Sequence, residues 1–397
     1  PLVDLARRDL ATDRDPDRRQ TPRRQSPSTA RGPGLARPDV VRPAPVRPGP
    51  RTLQQLPRRR RCVQSVLETE RLDLLVTSTR STNYWLGLPR ASYVCVTRSD
   101  VVAESAGGVS RIAVASSAGR IGVESGLDAA RLLEWQRELP GLTAEAWLPI
   151  TGALRRIRAT KDNLEQVLLR HASEVTCGAV AEAVRALRPG CTEADVLSWY
   201  QCGLLDRHGG LVGRDDVTVL TGSRTTRTWG GVTTRAVQLG EPVTIDVGTA
   251  VRGYWSDVAR SVVLVDSRRA VPPGWRKAFD AVRAALGRVC HDCRPGATAG
   301  SLATACEAEL ERRGFAGSMP HHLGHGIGLE SHELPLVTVD SATILEPGMV
   351  IAVEPAVVIP DLLGVRIEET LLVTEDGCRI ISQPSQEELS PDGVVVV

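Results

Sequence analysis

Apolar positions recur at two spacings along this chain, and the change of period divides it. From Leu164 to Leu187 they fall at helical spacing, and the run stops at Arg188-Pro189-Gly190, where neither Pro nor Gly continues a helix. Thr192, with Asp195 three positions later, predicts the N-cap of a second helix. The same order returns downstream as a helix from Lys277 to Cys290, the joint Cys293-Arg294-Pro295-Gly296-Ala297-Thr298, and a helix from Leu302 to Arg312. Two helical pairs with matching joints predict an internal duplication about a pseudo-twofold. Between and after them the period is two: Val243 to Val247, Ser261 to Val265, Val350 to Glu354 and Val365 to Val373 are rich in β-branched residues and bounded by turn residues. Residues 151–397 therefore read as an α+β domain, an antiparallel sheet flanked by helix pairs.

Upstream, residues 62–150 alternate short apolar runs with helical stretches. Leu72 to Thr77, Tyr93 to Thr97, Ile112 to Ala115 and Ile121 to Glu124 are the expected strands of a small α/β domain, with a boundary at Leu148-Pro149-Ile150. Residues 1–61 are rich in Arg and Pro, and stretches such as Arg42-Pro43-Ala44-Pro45 suit neither helix nor strand, so a disordered tail is expected there. The run Arg58 to Arg61 is short for a nucleic-acid patch and reads as part of that solvated tail.

Composition adds mainly exclusions. With 397 residues, 42% of them hydrophobic, the chain is long enough for two domains with a sizeable core. Lys plus Arg is 49 and Asp plus Glu 47, so a formal charge of +2 demands neither nucleic acid nor an acidic membrane as partner. No apolar run approaches the ~20 residues of a spanning helix. Nine cysteines spread along a long chain do not form a disulfide framework and suggest a reducing, cytoplasmic setting. Cys290-His291-Asp292-Cys293 has redox or metal spacing, but with no second pair it reads as helix-end packing.

The polar residues that interrupt the apolar runs carry the candidate chemistry. Asp246 lies inside the strand Val243-Thr244-Ile245-Asp246-Val247, and a buried carboxylate needs compensation. A turn over Gly253-Tyr254-Trp255-Ser256 is expected to bring the next strand back and set Asp257 beside it, and like charges so placed call for a cation. Four of the seven histidines fall between His321 and His332, and glycines on both sides of His325 allow close approach of backbone. Glu354 and Glu368 add two further strand carboxylates. Each acid alone has a salt-bridge alternative, for instance to Arg260 or Arg366. Taken together, four carboxylates and one imidazole suit Mn²⁺, Fe²⁺, Co²⁺ or Zn²⁺, and more carboxylates than one ion needs favour two ions.

In order and with their flanking residues, Ile245-Asp246-Val247-Gly248, Asp257, Gly324-His325-Gly326-Ile327-Gly328, His332-Glu333-Leu334-Pro335, Glu346-Pro347-Gly348-Met349, Glu354-Pro355 and Val365-Arg366-Ile367-Glu368 resemble the pita-bread metallohydrolases. That superfamily includes Xaa-Pro dipeptidase, aminopeptidase P, methionine aminopeptidase and creatinase. Asn83-Tyr84-Trp85-Leu86-Gly87 and Arg156 to Lys161 extend the resemblance upstream and favour the branch that carries an N-terminal domain. The resemblance implies a pita-bread catalytic domain with two divalent ions, Mn²⁺ foremost. Asp246 and Asp257 would hold one ion, Asp257 and Glu368 would bridge, and His325 and Glu354 would complete the other shell. In the family a metal-bridging hydroxide attacks the scissile amide and the residue matching Glu354 takes its proton. His321 and His332 resemble the histidines that line the substrate and counter oxyanion charge. Relatives with this N-terminal domain are commonly dimers, so a homodimer is implied.

Two positions depart from that pattern. Trp229 occupies the region where family peptidases carry a His upstream of the first metal Asp, and Leu336 follows the His-Glu-x-Pro motif where prolidases have an Arg. Trp229 and Arg366 stand as substrate-binding candidates, an indole suiting an apolar or cationic group; the alternative for Trp229 is a place in the core. The expected function is amide hydrolysis of a small, Xaa-Pro-like peptide. The alternative is a non-peptidase pita-bread enzyme, a carbon–nitrogen hydrolase or lyase of a small zwitterion.

Overall fold

The computed structural model of the chain describes residues 51–88, 91–115, 117–208, 217–382 and 392–397. Its first unit comprises α1 (Arg51–Thr69), β1 (Leu74–Thr77), α2 (Arg80–Trp85), β2 (Tyr93–Val96), β3 (Val101–Glu104), α3 (Ala106–Ala115), β4 (Ile121–Val123), α4 (Ala129–Glu138) and β5 (Trp147–Pro149). The five strands form one sheet in the order β3-β2-β1-β4-β5, antiparallel on the β3 side and parallel from β1 to β5. One face buries Leu74, Val76 and Ile121 against Trp135 and Trp147, whose rings stack at 6.4 Å.

Two expectations change here. Ile112 to Ala115 ends a helix rather than forming a strand, because Val109 and Ala113, one turn apart, are the buried positions while Val114 faces solvent. A four-residue apolar run does not distinguish the two periods. The expected tail boundary also moves. Residues 1–50 lie outside the described residues, but α1 starts at Arg51, and Arg59 turns inward. Its Nε donates to Asp162 at 2.7 Å and its Nη1 to the Trp85 carbonyl at 3.3 Å, with the guanidinium over the Trp85 ring. One arginine of the run is thus an internal tie between α1, α2 and the next unit. Arg59→Ala is expected to cost about 3–5 kcal/mol by leaving a buried carboxylate without its partner, read as a lower denaturant midpoint; an unchanged midpoint would contradict the tie.

The second unit runs through α5 (Thr151–Ala159), α6 (Asn163–Arg185), α7 (Glu193–His208), β6 (Thr218–Thr221), β7 (Pro242–Val251), β8 (Tyr254–Val265), α8 (Pro273–Asp292), α9 (Ala299–Arg312), β9 (Gly324–Gly326) and β10 (Glu333–Val337). It continues through β11 (Val350–Val353), β12 (Ala356–Ile359), β13 (Leu363–Arg366), β14 (Glu369–Val373), β15 (Cys378–Ile380) and β16 (Val394–Val396). α6 opens on a capping box in which Asp162 accepts from the backbone of Leu164 and Glu165 while Glu165 accepts from Asp162 N–H.

The duplication read from the joints is present in the backbone hydrogen bonds. Gly190 N–H donates to Val237 and Gly296 N–H to Leu345; Val237 and Leu345 in turn donate to Cys191 and Ala297. Glu193 and Ala299 open their helices on Arg235 and Thr343 in the same way. Gly190 and Gly296 both take the left-handed conformation that the turn requires. Each helix pair then covers its own core. Val180 and Tyr200 pack on Val243, Ile245 and Val247, whereas Trp275 and Leu302 pack on Ile351, Val353 and Leu371.

The sheets are ordered β16-β8-β7-β6 and β10-β9-β11-β14-β15, with β12-β13 as a separate hairpin. Pairing is antiparallel except for β16, which runs parallel to β8. Because strand side chains alternate, placing Val243, Ile245 and Val247 on the helix side puts Asp246 on the opposite face. The stretch Val365 to Val373 is not one strand. β13 ends at Arg366 and β14 starts at Glu369, since Ile367 and Glu368 N–H leave for the carbonyls of Pro355 and Ala259. Glu368 is therefore at a crossing between sheets, as Glu354 is between β11 and β12.

Candidate metal centre

The β7–β8 hairpin delivers the first two acids. Val251 pairs with Tyr254 across Arg252 and Gly253, both at positive φ, the two-residue turn whose twist matches a hairpin. That turn fixes the register, with Gly248 opposite Asp257 and Asp246 opposite Ala259. Asp246 and Asp257 are consequently diagonal neighbours on one face. Asp257 is 2% exposed.

His325 comes from the other sheet, on β9 between β10 and β11. A Cβ on Gly324 would lie 2.0 Å from the Ala352 carbonyl oxygen, and one on Gly326 2.1 Å from that of Leu334. Only glycine lets this strand fit, so the flanking glycines serve the histidine's placement. The His325 ring is buried, its Nδ1 faces the Gly326 carbonyl at 3.0 Å, and its Nε2 lies 3.9 Å from Asp257 Oδ2. A carbonyl accepts only, so Nδ1 carries the proton and Nε2 presents a lone pair, as a metal-binding histidine does.

Glu354 follows β11, its backbone N–H held by the Leu323 carbonyl at 2.8 Å. Three trios result in which donor atoms lie within 4.8 Å of one another: Asp246, Asp257 and Glu368; His325, Glu354 and Glu368; Asp257, His325 and His332. Glu368, Asp257 and His325 each belong to two, and of these only the carboxylates have a second oxygen with which to bridge. The structure thus brings together all five positions singled out in the sequence, and His332 with them.

Arg366 occupies the same space. Its guanidinium donates to Asp246 and to the Thr228 carbonyl, and its Nε lies 3.8 Å from Glu354 Oε2. Asp246 therefore has both a salt bridge and a place in the donor cluster. Arg366 is buried with its guanidinium engaged by the carboxylates. Through Thr228 it also fixes the loop bearing Trp229, which is 71% exposed and not a core residue. Leu336, 47% exposed, is paired with His325 in the β10–β9 register. Two exposed apolar side chains thus sit on backbone tied to the centre, Trp229 next to the Thr228 that Arg366 binds and Leu336 opposite His325.

The remaining histidines differ. His332 is exposed and stacks on His325 with ring centroids 3.8 Å apart. His321 approaches Glu354 Oε2 at 3.8 Å through Nε2, while Nδ1 meets the His322 carbonyl at 2.8 Å. Burial, reinforced by Arg366, pushes its pKa down to about 4. Neutral His321 therefore has its proton on Nδ1 and offers an accepting Nε2. It is an acceptor here, whereas the sequence reading expected a donor.

Sequence reasoning names Arg260 as an alternative ion-pair partner and Arg156 to Lys161 as part of the resemblance, but misses the contacts by which they hold this cluster in place. Arg260 donates to the Glu368 carbonyl at 2.6 Å and pairs with Glu369 at 2.9 Å. Lys161 and Arg158 grip Glu333 at 2.6 and 2.7 Å, fixing the backbone next to His332. Lone basic residues in a chain with 49 of them carry no local signal.

Residues 167–375 match the profile described as Metallopeptidase family M24. Over 243 residues the chain is 31% identical to the uncharacterized peptidase YqhT of Bacillus subtilis (strain 168), covering 60% of this chain and 67% of that protein. Over 232 residues it is 31% identical to the Xaa-Pro dipeptidase of Pyrococcus furiosus, covering 58% and 65%. The chain thus matches about two thirds of the length of these curated relatives. Among solved structures, Xaa-Pro dipeptidase from Bacillus anthracis superposes with a TM-score of 0.76 at 22% identity, over 86% of this chain and 100% of that one. X-Pro aminopeptidase from Thermotoga maritima MSB8 gives 0.74 at 20%, over 85% and 99%. At such identities the likeness is one of fold.

Proposed function

The chain belongs to metallopeptidase family M24 and has the pita-bread fold, and from that premise we propose that it is a dinuclear hydrolase cutting an amide bond of a small Xaa-Pro-like peptide. The observation that carries this reading is the sharing of Glu368 and Asp257 between trios, since two ions a bridge apart need such shared carboxylates. An all-oxygen and imidazole donor set, without thiolate, suits Mn²⁺ and tolerates Co²⁺, Fe²⁺ or Zn²⁺. The ions would rest on Asp246, Asp257 and Glu368 and on His325, Glu354 and Glu368. When bound, they supply Lewis acidity to the scissile carbonyl and make attacking water acidic enough to ionise near neutral pH.

The chain's own groups do the rest. Glu354, half-buried, is the carboxylate placed to take a proton and return it to the leaving nitrogen. His321 Nε2, 3.8 Å away, can accept a hydrogen bond from the protonated Glu354 or from a substrate N–H. His332, exposed above His325, is the imidazole left to donate toward developing negative charge. Arg366 acts as a positioning residue that orients Asp246 and Glu354. The proposed catalytic unit is residues 151–397, with α1 to β5 as the N-terminal unit and a homodimer as the assembly.

Trp229 and Leu336 give the site an apolar lip where a free dipeptide carboxylate would want a cation. The expected preference is for longer Xaa-Pro peptides over dipeptides. Mass-spectrometric hydrolysis of a panel of Xaa-Pro dipeptides, longer Xaa-Pro peptides and N-acyl amino acids with Mn²⁺-loaded protein tests this. Trp229→Ala is expected to raise KM about tenfold, the loss of roughly 1.4 kcal/mol of contact, with an unchanged unfolding midpoint. Turnover of dipeptides alone, or an unaltered KM, would remove the specificity reading. Turnover of no peptide by metal-loaded protein would favour the carbon–nitrogen hydrolase or lyase of a small zwitterion.

A further inference from the structure

All nine cysteines are reduced, and three meet where the end of α8 faces β15. Cys290 lies in the last turn of α8 and Cys293 caps it; Cys378 opens β15, 88 residues beyond Cys290. Cys378 Sγ lies 3.3 Å from the Cys290 carbonyl, to which the protonated thiol donates. Mutual interaction of the three thiols draws the Cys378 pKa below the ordinary thiol value and pushes those of Cys290 and Cys293 up. Cys290 and Cys378 are partly buried, whereas Cys293 is buried. Among the described residues, donor trios close enough for one metal ion occur only at the carboxylate centre, so the three thiols are better placed for pairing than for holding an ion.

We propose that Cys378 and Cys290 form an oxidant-responsive pair, with Cys293 as the alternate partner, which a peroxide converts to a disulfide joining β15 to the end of α8. The Cys378 thiolate attacks a peroxide oxygen; the O–O bond breaks, and with one proton the leaving oxygen departs as water from hydrogen peroxide. The Cys290 sulfur then displaces the oxygen of the resulting sulfenic acid, forming the S–S bond and releasing a second water. Two thiols are oxidised by two electrons, and one peroxide is reduced. The outer edge of the sheet that carries His325 would then be anchored to α8, because Cys378 pairs with Val373 on β14 and β14 with β11.

The experiment uses the full chain carrying Cys202→Ser, which removes the exposed thiol able to link two molecules. Peroxide treatment, alkylation and digestion on the N-terminal side of Asp separate Cys290 from Cys293, because the cut falls between His291 and Asp292. The expected result is a loss of about 2 Da, a linked peptide pair containing Cys378 and Cys290, reversal by dithiothreitol, and a higher thermal midpoint in the oxidised form. Cys290→Ser should move the link to Cys293, and Cys378→Ser should abolish it. Retention of every thiol after peroxide, or oxygen addition at Cys378 with no linked peptide, overturns the proposal; both are read on the parent chain without the serine variants.

Discussion

Replacing Glu354 with Gln is expected to lower kcat by about 10³-fold while leaving the fold intact. Two losses coincide at this side chain. It is one of the three donors grouped with His325 and Glu368, and it is the carboxylate placed to carry a proton. The amide keeps the shape, and the backbone N–H bond to Leu323 does not involve the side chain. Arg366 keeps its bond to Asp246, so no buried guanidinium is stranded. The metal-free variant should be at least as stable as the metal-free parent, since one of four crowded carboxylates has been neutralised. Glu354→Asp separates the two losses. It retains a charged donor at a displaced position, and should hold metal better than Glu354→Gln while remaining slow. The measurements are kcat at saturating Mn²⁺ and thermal midpoints with and without the ion; a kcat within tenfold of the parent would exclude Glu354 from the proton path.

Much of this site is legible in the sequence because its placement is local. The return of the chain near Gly253 is legible, although the turn is Arg252-Gly253 and Tyr254 to Ser256 are already strand; its register sets Asp246 beside Asp257, and glycines on each side of His325 signal a strand squeezed between two others. The duplication is legible for the same reason, as Arg-Pro-Gly joints impose the same left-handed turn twice. What stays hidden depends on distant partners. Val365 to Val373 has an unbroken strand pattern, and only the carbonyls of Pro355 and Ala259 draw Ile367 and Glu368 out of it. Arg59 reads as one more charge in a basic run until Asp162 and Trp85, 103 and 26 residues away, surround it. Cys290 and Cys293 read as helix-end packing because Cys378 is far along the chain. His321 shows a further limit, since its tautomer follows from a single backbone carbonyl that no motif encodes.

Glu368→Gln and His332→Ala should differ most clearly in metal content. Glu368 is 2% exposed and belongs to two of the three trios, whereas His332 belongs to one and is exposed. If the trios sharing Glu368 each hold an ion, losing that carboxylate weakens both sites. The parent should therefore carry two Mn²⁺ per chain by elemental analysis, His332→Ala two, and Glu368→Gln fewer than one. Stability follows by mass action. An ion present at 1,000 times its dissociation constant stabilises the parent by about 4 kcal/mol, and chelation removes that increment. The Glu368→Gln protein should show little response to chelator and, in the absence of metal, should melt no lower than the parent, because a buried like-charge neighbour is gone. A purely structural role for Glu368 predicts the reverse, a metal-free variant that unfolds early while still binding two ions. Two ions retained in Glu368→Gln would rule out its bridging role and leave Asp257 as the remaining shared carboxylate.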